Sequence, residues 1–279
     1  MANTNTTVKT LEEKEQALVK TLATLDGVIV AYSGGVDSSL LAYYARKVLN
    51  QRAKVAIAVS ASLPYEELEA ARAQAEQFDF ELIEVETTEL EDPDYQKNDG
   101  SRCYHCKSTL FAELEELARD LDVKYIAYGA IMDDMQDTRP GNRAAKEHRV
   151  LSPLQTAGLE KWEIRQLAER VNLPSWDRPQ AACLSSRLPL NEPVTVAKLS
   201  QIEKAEAYMH SLGFRQLRVR HHGEIARIEI EHREMPKLCA DVELMADIAA
   251  KLKEFGYKFV TLDLAGYRQG GANQASKQS

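Results

Sequence analysis

One short segment combines small, hydroxyl-bearing and acidic residues between an apolar run at 28–32 and a helix-like stretch at 40–45. It consists of Ser33, Gly34, Gly35, Val36, Asp37, Ser38 and Ser39. Glycines let the backbone turn tightly and point its N–H groups at an anion, while serine hydroxyls and a helix N-terminus add donors and partial positive charge. The segment therefore predicts a phosphate cradle at a strand-to-helix junction. The alternative is an ordinary turn capped by Asp37 and Ser38.

Three of the four cysteines occupy positions suited to metal or redox chemistry. Cys103 and Cys106 are separated by two residues, and Cys183 lies in a proline-rich connector. Three thiolates would leave one iron of a [4Fe–4S] cluster open to an external ligand such as hydrosulfide. The alternatives are a redox pair at Cys103 and Cys106, a zinc site completed by His105, or small buried residues. Cys239, in an amphipathic helix, is expected to pack in a core.

A framework for these residues follows from alternating strand and helix patterns. Strand patterns occur at 28–32, 55–59, 80–85 and 125–128, and helical patterns at 11–25, 66–77 and 109–121. This alternation predicts an α/β fold, with a mostly parallel sheet, helices on both faces and ligands at the carboxyl ends of the strands. An acidic loop containing Asp133, Asp134 and Asp137 should lie at such an end, in roles that the sequence leaves open.

The pattern changes toward the C-terminus. A short helix at 162–171 is followed by an irregular connector with prolines at 174, 179, 189 and 193. A helix at 196–212 and strands at 217–220, 225–230 and 259–262 then predict a small α+β module, with His221 and His222 exposed beside a turn. We therefore predict a large domain at 1–185, a small domain for substrate binding or oligomerisation at 186–269, and a disordered tail at 270–279.

Composition narrows the functional classes. The chain has 279 residues, 44% of them hydrophobic, which is enough for one sizeable core and a smaller one. The net charge of −8 makes nucleic-acid binding an unfavoured function. No stretch has the apolar length of a membrane span, and the cysteine usage suits a reducing compartment, so we expect a cytoplasmic protein.

The loop lacks the lysine of a Walker A motif and the spacing of a dinucleotide-binding fingerprint. It resembles instead the pyrophosphate-binding loop (PP-loop) of the ATP pyrophosphatases, which include NAD synthetase and GMP synthetase. The resemblance implies that residues 1–185 form a PP-loop domain that cleaves ATP between its α and β phosphates. The loop would hold the departing pyrophosphate, and Asp37 would help to hold Mg²⁺.

A wider resemblance extends over almost the whole chain. Besides the loop, the matching stretches are 137–141, 183–187, 218–220 and 225–229. In these the chain is similar to the LarE family, ATP-dependent sulfur transferases of nickel-pincer nucleotide biosynthesis. The resemblance implies that a carboxylate of pyridinium-3,5-biscarboxylic acid mononucleotide is adenylated and converted to a thiocarboxylate. Cys103, Cys106 and Cys183 resemble the residues of those members that carry a [4Fe–4S] cluster and deliver an external sulfide.

The resemblance also implies roles for individual residues. Ala58 and Ser60, at the end of the second strand, would flank adenosine. The predicted substrate contacts are Ser186, Arg187, Arg218, Arg220 and Arg139, with Glu206 and Glu229 near the sulfur donor. Family members tend to assemble, so a homo-oligomer is expected, with sulfide or another sulfur donor as the partner.

Four alternatives remain open on sequence grounds. Cys183 could give up its own sulfur and end as dehydroalanine, as in the single-cysteine members of the family. The chain could be a tRNA-thiolating PP-loop enzyme, although its acidic balance disfavours RNA binding. It could be an ammonia-dependent amide-forming ligase, which would leave the thiols without a use, or an ATP sensor without catalysis.

Overall fold

The computed structural model describes residues 9–136, 140–179 and 182–268, and these form two compact units. Of the described residues, the first unit takes 9–60, 66–89, 103–136 and 140–179, and the second takes 61–65, 90–102 and 182–268. Each unit is therefore assembled from separate pieces of chain. The predicted boundary after residue 185 stays a prediction, and the predicted tail at 270–279 lies outside the described residues.

The helices and strands of both units are numbered in chain order. The helices in chain order are α1 (Leu11–Ala23), α2 (Val36–Leu49), α3 (Tyr65–Gln77), α4 (Pro93–Gln96), α5 (Arg102–Asp120), α6 (Pro140–Glu147), α7 (Pro153–Ala157), α8 (Lys161–Arg170), α9 (Val196–Ser211), α10 (Met235–Ala240) and α11 (Val242–Glu254). The strands are β1 (Val28–Tyr32), β2 (Ala53–Val59), β3 (Leu82–Glu86), β4 (Ile126–Tyr128), β5 (Leu217–His222), β6 (Ile225–Ile230) and β7 (Phe259–Leu262).

The sheet of the first unit has four parallel strands in the order β3-β2-β1-β4. Ile29 and Ala56 on one face pack against Phe111 and Leu114 of α5. Because side chains alternate along a strand, Val30 points to the opposite face, where α2 packs on β1. The predicted α/β architecture with a parallel sheet and flanking helices is confirmed.

The second unit has a separate three-stranded sheet in the order β5-β6-β7. β5 and β6 pair antiparallel, and β7 adds in parallel to β6. Its core joins Leu217 and Val219 of β5 to Met209 of α9 and to Ile248 and Leu252 of α11. The predicted small α+β module is confirmed in this part of the chain.

Several local expectations were wrong. α5 begins at Arg102 rather than at 109, because the Asp99 side chain accepts a hydrogen bond from the Ser101 N–H (2.7 Å) and starts a helix whose first turns are polar. The stretch after the acidic loop forms helix α6, which was not among the helical patterns predicted from the sequence. Cys239 is exposed rather than packed in a core, and His221 is buried rather than exposed. Among the described helices, none is both long and apolar enough to cross a membrane.

Candidate active site

The predicted phosphate loop lies between β1 and α2, at the carboxyl end of the parallel sheet. Gly34 has a φ of +70°, and a Cβ there would lie 3.1 Å from the Ala71 Cβ, so both conformation and space favour glycine. Gly35 is the N-cap of α2 and has no side chain to cap it. The first-turn N–H groups of α2 are therefore available to an anion.

Serine hydroxyls form hydrogen bonds within this loop and bind it to α3. Ser38 Oγ accepts a hydrogen bond from the Ser33 N–H (3.1 Å) and donates one to the Gly35 carbonyl (3.1 Å). Ser39 is fully buried and accepts from Gln74 Nε2 (2.6 Å), which also donates to the Tyr32 hydroxyl (2.7 Å). Burial raises the pKa of Tyr32 above its usual value, so this hydroxyl stays protonated.

Gly129, just after β4, is a part of the site that the sequence did not single out. A Cβ at this position would lie 2.8 Å from the Ser38 nitrogen and 3.1 Å from its Cα. The chain leaving β4 therefore runs directly against the phosphate loop, and only glycine fits there. An isolated glycine after a strand was the only sequence signal.

Asp37 lies in the first turn of α2, where both carboxylate oxygens accept hydrogen bonds from Lys161 Nζ (2.7 Å each). Burial raises the pKa of Asp37, the Lys161 ammonium opposes that shift, and the Asp134 carboxylate adds to it. Lys161 starts α8 and lies 124 residues away in sequence, so no local pattern connects it with the loop. Asp133 Oδ1 accepts from the Lys161 N–H (3.3 Å), and Asp134 Oδ2 from the Ile131 N–H (3.1 Å).

Ala58 and Ser60 lie half-buried at the carboxyl end of β2, as their predicted role beside adenosine requires. Ser60 Oγ donates a hydrogen bond to Glu89 Oε1 (2.5 Å). Glu89 is buried, and its second oxygen has no partner among the described residues. The adenosine role itself stays a prediction.

In the second unit, a buried ion pair joins Arg187 to Glu206 of α9. The guanidinium donates to the two carboxylate oxygens through Nε (3.0 Å) and Nη2 (2.8 Å). Glu206 Oε1 also accepts from the Val219 N–H (2.9 Å). The remaining Arg187 nitrogen donates to the Cys183 carbonyl (2.9 Å), so this pair fixes the backbone at the predicted thiol.

Two further arginines lie on β5 beside this pair. Arg220 donates to Glu229 Oε2 (3.0 Å) and to the Ser186 carbonyl (2.9 Å), while its buried Nε has no partner among the described residues. Arg218 is half-buried and forms no carboxylate ion pair with the described residues. Burial lowers the pKa of Arg218, and the neighbouring Arg187 cation lowers it further. Binding of an anion would therefore stabilise the charged guanidinium of Arg218.

The segment carrying Cys183 is held by a second set of contacts. The Leu184 N–H donates to the Ser62 carbonyl (2.8 Å). Three buried hydroxyls form a closed triangle, with Tyr95 at 2.6 Å from Ser62 Oγ and 2.7 Å from Ser185 Oγ, and the two serines 3.2 Å apart. Arg102, the chain neighbour of Cys103, donates to the Ser185 carbonyl (2.8 Å).

The predicted thiol ligands are distributed between the units. Cys103 and Cys106 lie in the first turns of α5, and residues three apart share one side of a helix. Both carry thiols rather than disulfides, as does the half-buried Cys183. Because Cys183 belongs to the second unit and the pair to the first, their joint ligation of iron stays a prediction. Asp137 and Arg139 lie outside the described residues.

Comparison with known proteins identifies relatives of this chain. Residues 7–119 match the NAD synthase family model. An uncharacterized protein of Synechocystis sp. is 43% identical over 95% of this chain and 98% of its own length. Pyridinium-3,5-bisthiocarboxylic acid mononucleotide synthase of Lactiplantibacillus plantarum is 33% identical over 95% of each chain.

A more distant relative shares part of the chain. GMP synthase (glutamine-hydrolyzing) of Chlamydia caviae is 25% identical over 60% of this chain and 36% of its own length. The near-complete match to the Lactiplantibacillus plantarum synthase, together with the phosphate loop, identifies the family of this chain. The chain belongs to the LarE family of ATP-using PP-loop enzymes.

Proposed function

We propose that this enzyme uses ATP to adenylate a carboxylate of pyridinium-3,5-biscarboxylic acid mononucleotide and then converts it to a thiocarboxylate. One observation carries the proposal. Arg187, which belongs to the buried arginine cluster, donates to the carbonyl of Cys183 itself. An anion bound by Arg218 and its neighbours would therefore be held at a fixed distance from this cysteine, as transfer of sulfur to a phosphate-bearing substrate requires.

The cluster suits a phosphate because its charges do not cancel. Arg187, Arg218 and Arg220 face the carboxylates of Glu206 and Glu229, which leaves one cation without a carboxylate among these five groups. The two glutamates hold their arginines in fixed positions, so the guanidinium donors are arranged before the ligand arrives. Ser186 lies between Arg187 and Arg220 and adds a hydroxyl to the same surface. Arg139 would add to these substrate contacts.

Adenylation is assigned to the first unit. The carboxylate would attack the α phosphorus, and pyrophosphate would leave into the cradle formed by the N–H groups at the start of α2. Asp37 fits a Mg²⁺ site because both of its oxygens already face one cation, the Lys161 ammonium. Mg²⁺, when bound, supplies charge neutralisation on the phosphates. Ala58 and Ser60 would flank the adenosine.

Sulfur transfer follows adenylation, because AMP is a far better leaving group than oxide. Sulfide would attack the acyl carbon, the carbon–oxygen bond to AMP would break, and a thiocarboxylate would form. The thiols of Cys103 and Cys106 on one turn, together with Cys183, are the kind of donor set that a [4Fe–4S] cluster takes. Such a cluster, when bound, supplies an iron with an open coordination position for sulfide.

The test uses protein reconstituted with iron and sulfide under anaerobic conditions. ATP, Mg²⁺, the pyridinium substrate and sulfide are added, and AMP and thiocarboxylate are followed by mass spectrometry. We expect both products from the wild type, and AMP without thiocarboxylate from Cys183→Ala. Consumption of ATP with no thiocarboxylate from the wild type would refute the proposal.

The same assay, together with the protein mass and tRNA electrophoresis, separates the alternative functions. If Cys183 gives its own sulfur, the sulfur attacks the acyl carbon and the thiocarboxylate is then eliminated with loss of a Cα proton. The protein mass would fall by that of one hydrogen sulfide, and turnover would stop after one cycle. An ammonia-dependent ligase would keep its activity in Cys183→Ala, a tRNA-thiolating enzyme would retain tRNA in electrophoresis, and a sensor would release no AMP. A cytoplasmic location, a homo-oligomeric state and an external sulfur donor are parts of the same proposal.

A further inference from the structure

The phosphate loop contains no basic residue, although it is expected to hold a highly charged leaving group. Lys161 Nζ lies 2.7 Å from both oxygens of Asp37, on the first turn of the helix that starts at this loop. Its side chain is 31% exposed and that of Asp37 is 28% exposed, so the pair is open to exchange with solutes. The residue comes from the start of α8, outside the loop motif.

We propose that Lys161 is a displaceable cation: it occupies Asp37 in the metal-free enzyme and transfers to the phosphates of ATP when Mg²⁺ takes its place. The inference rests on the proposed use of Asp37 for Mg²⁺. It assigns to Lys161 the positive charge that a Walker A loop carries within its own sequence.

Three observations support exchange rather than a permanent ion pair. The carboxylate of Asp37 carries the charge that Mg²⁺ prefers, and the Asp134 carboxylate acts on Asp37 as a second negative charge. The Lys161 backbone is fixed independently of its side chain, because its N–H donates to Asp133 Oδ1 (3.3 Å). The long lysine side chain can therefore change partner while the helix start remains in position.

The same helix contains a matched control. Lys14 Nζ contacts both oxygens of Glu163 at 2.8 and 2.7 Å, and these side chains are 13% and 4% exposed. This pair has the same chemistry and the same two-oxygen geometry, but does not touch Asp37. Lys14→Met therefore reports what the loss of a lysine ion pair does to α8 alone.

The experiment compares wild type, Lys161→Met and Lys14→Met by direct binding, without turnover. Mn²⁺ binding to the nucleotide-free protein is followed by electron paramagnetic resonance, and Asp37→Asn identifies the signal that belongs to this site. Removing the competing ammonium is expected to tighten Mn²⁺ binding about five-fold, which corresponds to a partly exposed ion pair. Pyrophosphate binding in saturating Mg²⁺, measured by calorimetry, is expected to weaken about ten-fold with the loss of a charged donor.

Lys14→Met should change neither affinity, although it lowers the unfolding temperature. Unchanged or weaker Mn²⁺ binding in Lys161→Met would overturn the inference, and so would unchanged pyrophosphate binding. If Lys161→Met does not fold, Lys161→Gln, which loses the charge and keeps a polar side chain, carries the same two expectations. Neither measurement uses the pyridinium substrate or sulfide, so failure of this inference is distinguishable from failure of the proposed sulfur transfer.

Discussion

In the first unit the phosphate loop offers backbone N–H groups and serine hydroxyls, and it lacks any lysine or arginine from 33 to 39. In the second unit the proposed anion site consists of arginine side chains, two of them paired with buried glutamates. A backbone cradle is specified by a contiguous motif and by glycines that leave it room. A side-chain cluster depends on partners brought together from distant segments. Mutations in the two regions should therefore have different effects on stability and on activity.

The largest effect is expected in the arginine cluster. Glu206→Ala leaves the Arg187 guanidinium buried without its carboxylate and the Val219 N–H without an acceptor. We expect a loss of about 3–5 kcal/mol in the free energy of unfolding, measured with denaturant. Glu254→Ala removes an exposed partner of Lys251 and serves as the control, with a loss of less than about 1 kcal/mol. Equal losses from the two variants would contradict the importance of the buried pair.

The backbone cradle should respond to a single methyl group. Gly129→Ala places a Cβ 2.8 Å from the Ser38 nitrogen and so displaces the loop. We expect AMP formation to fall about 100-fold, because small displacements at a reacting site are costly, and the unfolding temperature to fall as well, because the added Cβ meets backbone atoms. Gly100→Ala is the control, since a Cβ there has no atom within 4 Å. Normal AMP formation by Gly129→Ala would show that the loop is not the phosphate site.

The hydroxyl triangle beside Cys183 gives an intermediate case. Tyr95→Phe leaves the buried hydroxyls of Ser62 and Ser185 without one shared partner, at a cost of about 1–3 kcal/mol. We expect thiocarboxylate formation to fall more than AMP formation, because the triangle positions the segment that contains Cys183. Tyr44→Phe, which removes a buried hydroxyl bound to Glu15, should leave the ratio of the two products unchanged.

The smallest effect concerns pH. Burial lowers the pKa of His221, and the positive charge of Lys198 lowers it further. The unfolded chain therefore binds a proton at His221 more readily than the folded chain does. The contribution of the neutral imidazole to the free energy of unfolding is complete above about pH 6.5 and is lost as the pH falls through the lowered pKa. His221→Gln should flatten the decline of the unfolding temperature between pH 7.5 and 5. His222 has a pKa shifted in the same direction, so His222→Gln is measured beside it.

These contrasts explain how much the sequence could predict. The loop from Ser33 to Ser39 and the parallel sheet follow from local patterns, because a strand, a glycine turn and a helix are specified by adjacent residues. Lys161 could not be predicted in this way, since its partner Asp37 is 124 residues distant. The second unit includes residues 61–65 and 90–102, which interrupt the first unit along the chain, and local periodicity does not assign them to the second unit.

The arginines of the second unit show the same limit. Their alternation on β5 placed Arg218 and Arg220 on one face, but it could not identify the pairing with Glu229 or the attachment of Arg187 to Glu206. His221 appeared exposed because it lies beside a turn, whereas Tyr257 covers its ring at a centroid distance of 5.5 Å. Packing between distant segments decides these positions, and sequence periodicity does not contain it.

The central claim is that an activated carboxylate receives sulfur at this enzyme, and isotope-labelled sulfide tests it most directly. Anaerobically reconstituted protein is given ATP, Mg²⁺, the pyridinium substrate and labelled sulfide, and the ratios of AMP and labelled thiocarboxylate to protein are measured. We expect one labelled thiocarboxylate for each AMP, over several turnovers per protein. Release of AMP with no sulfur in the recovered substrate would contradict it.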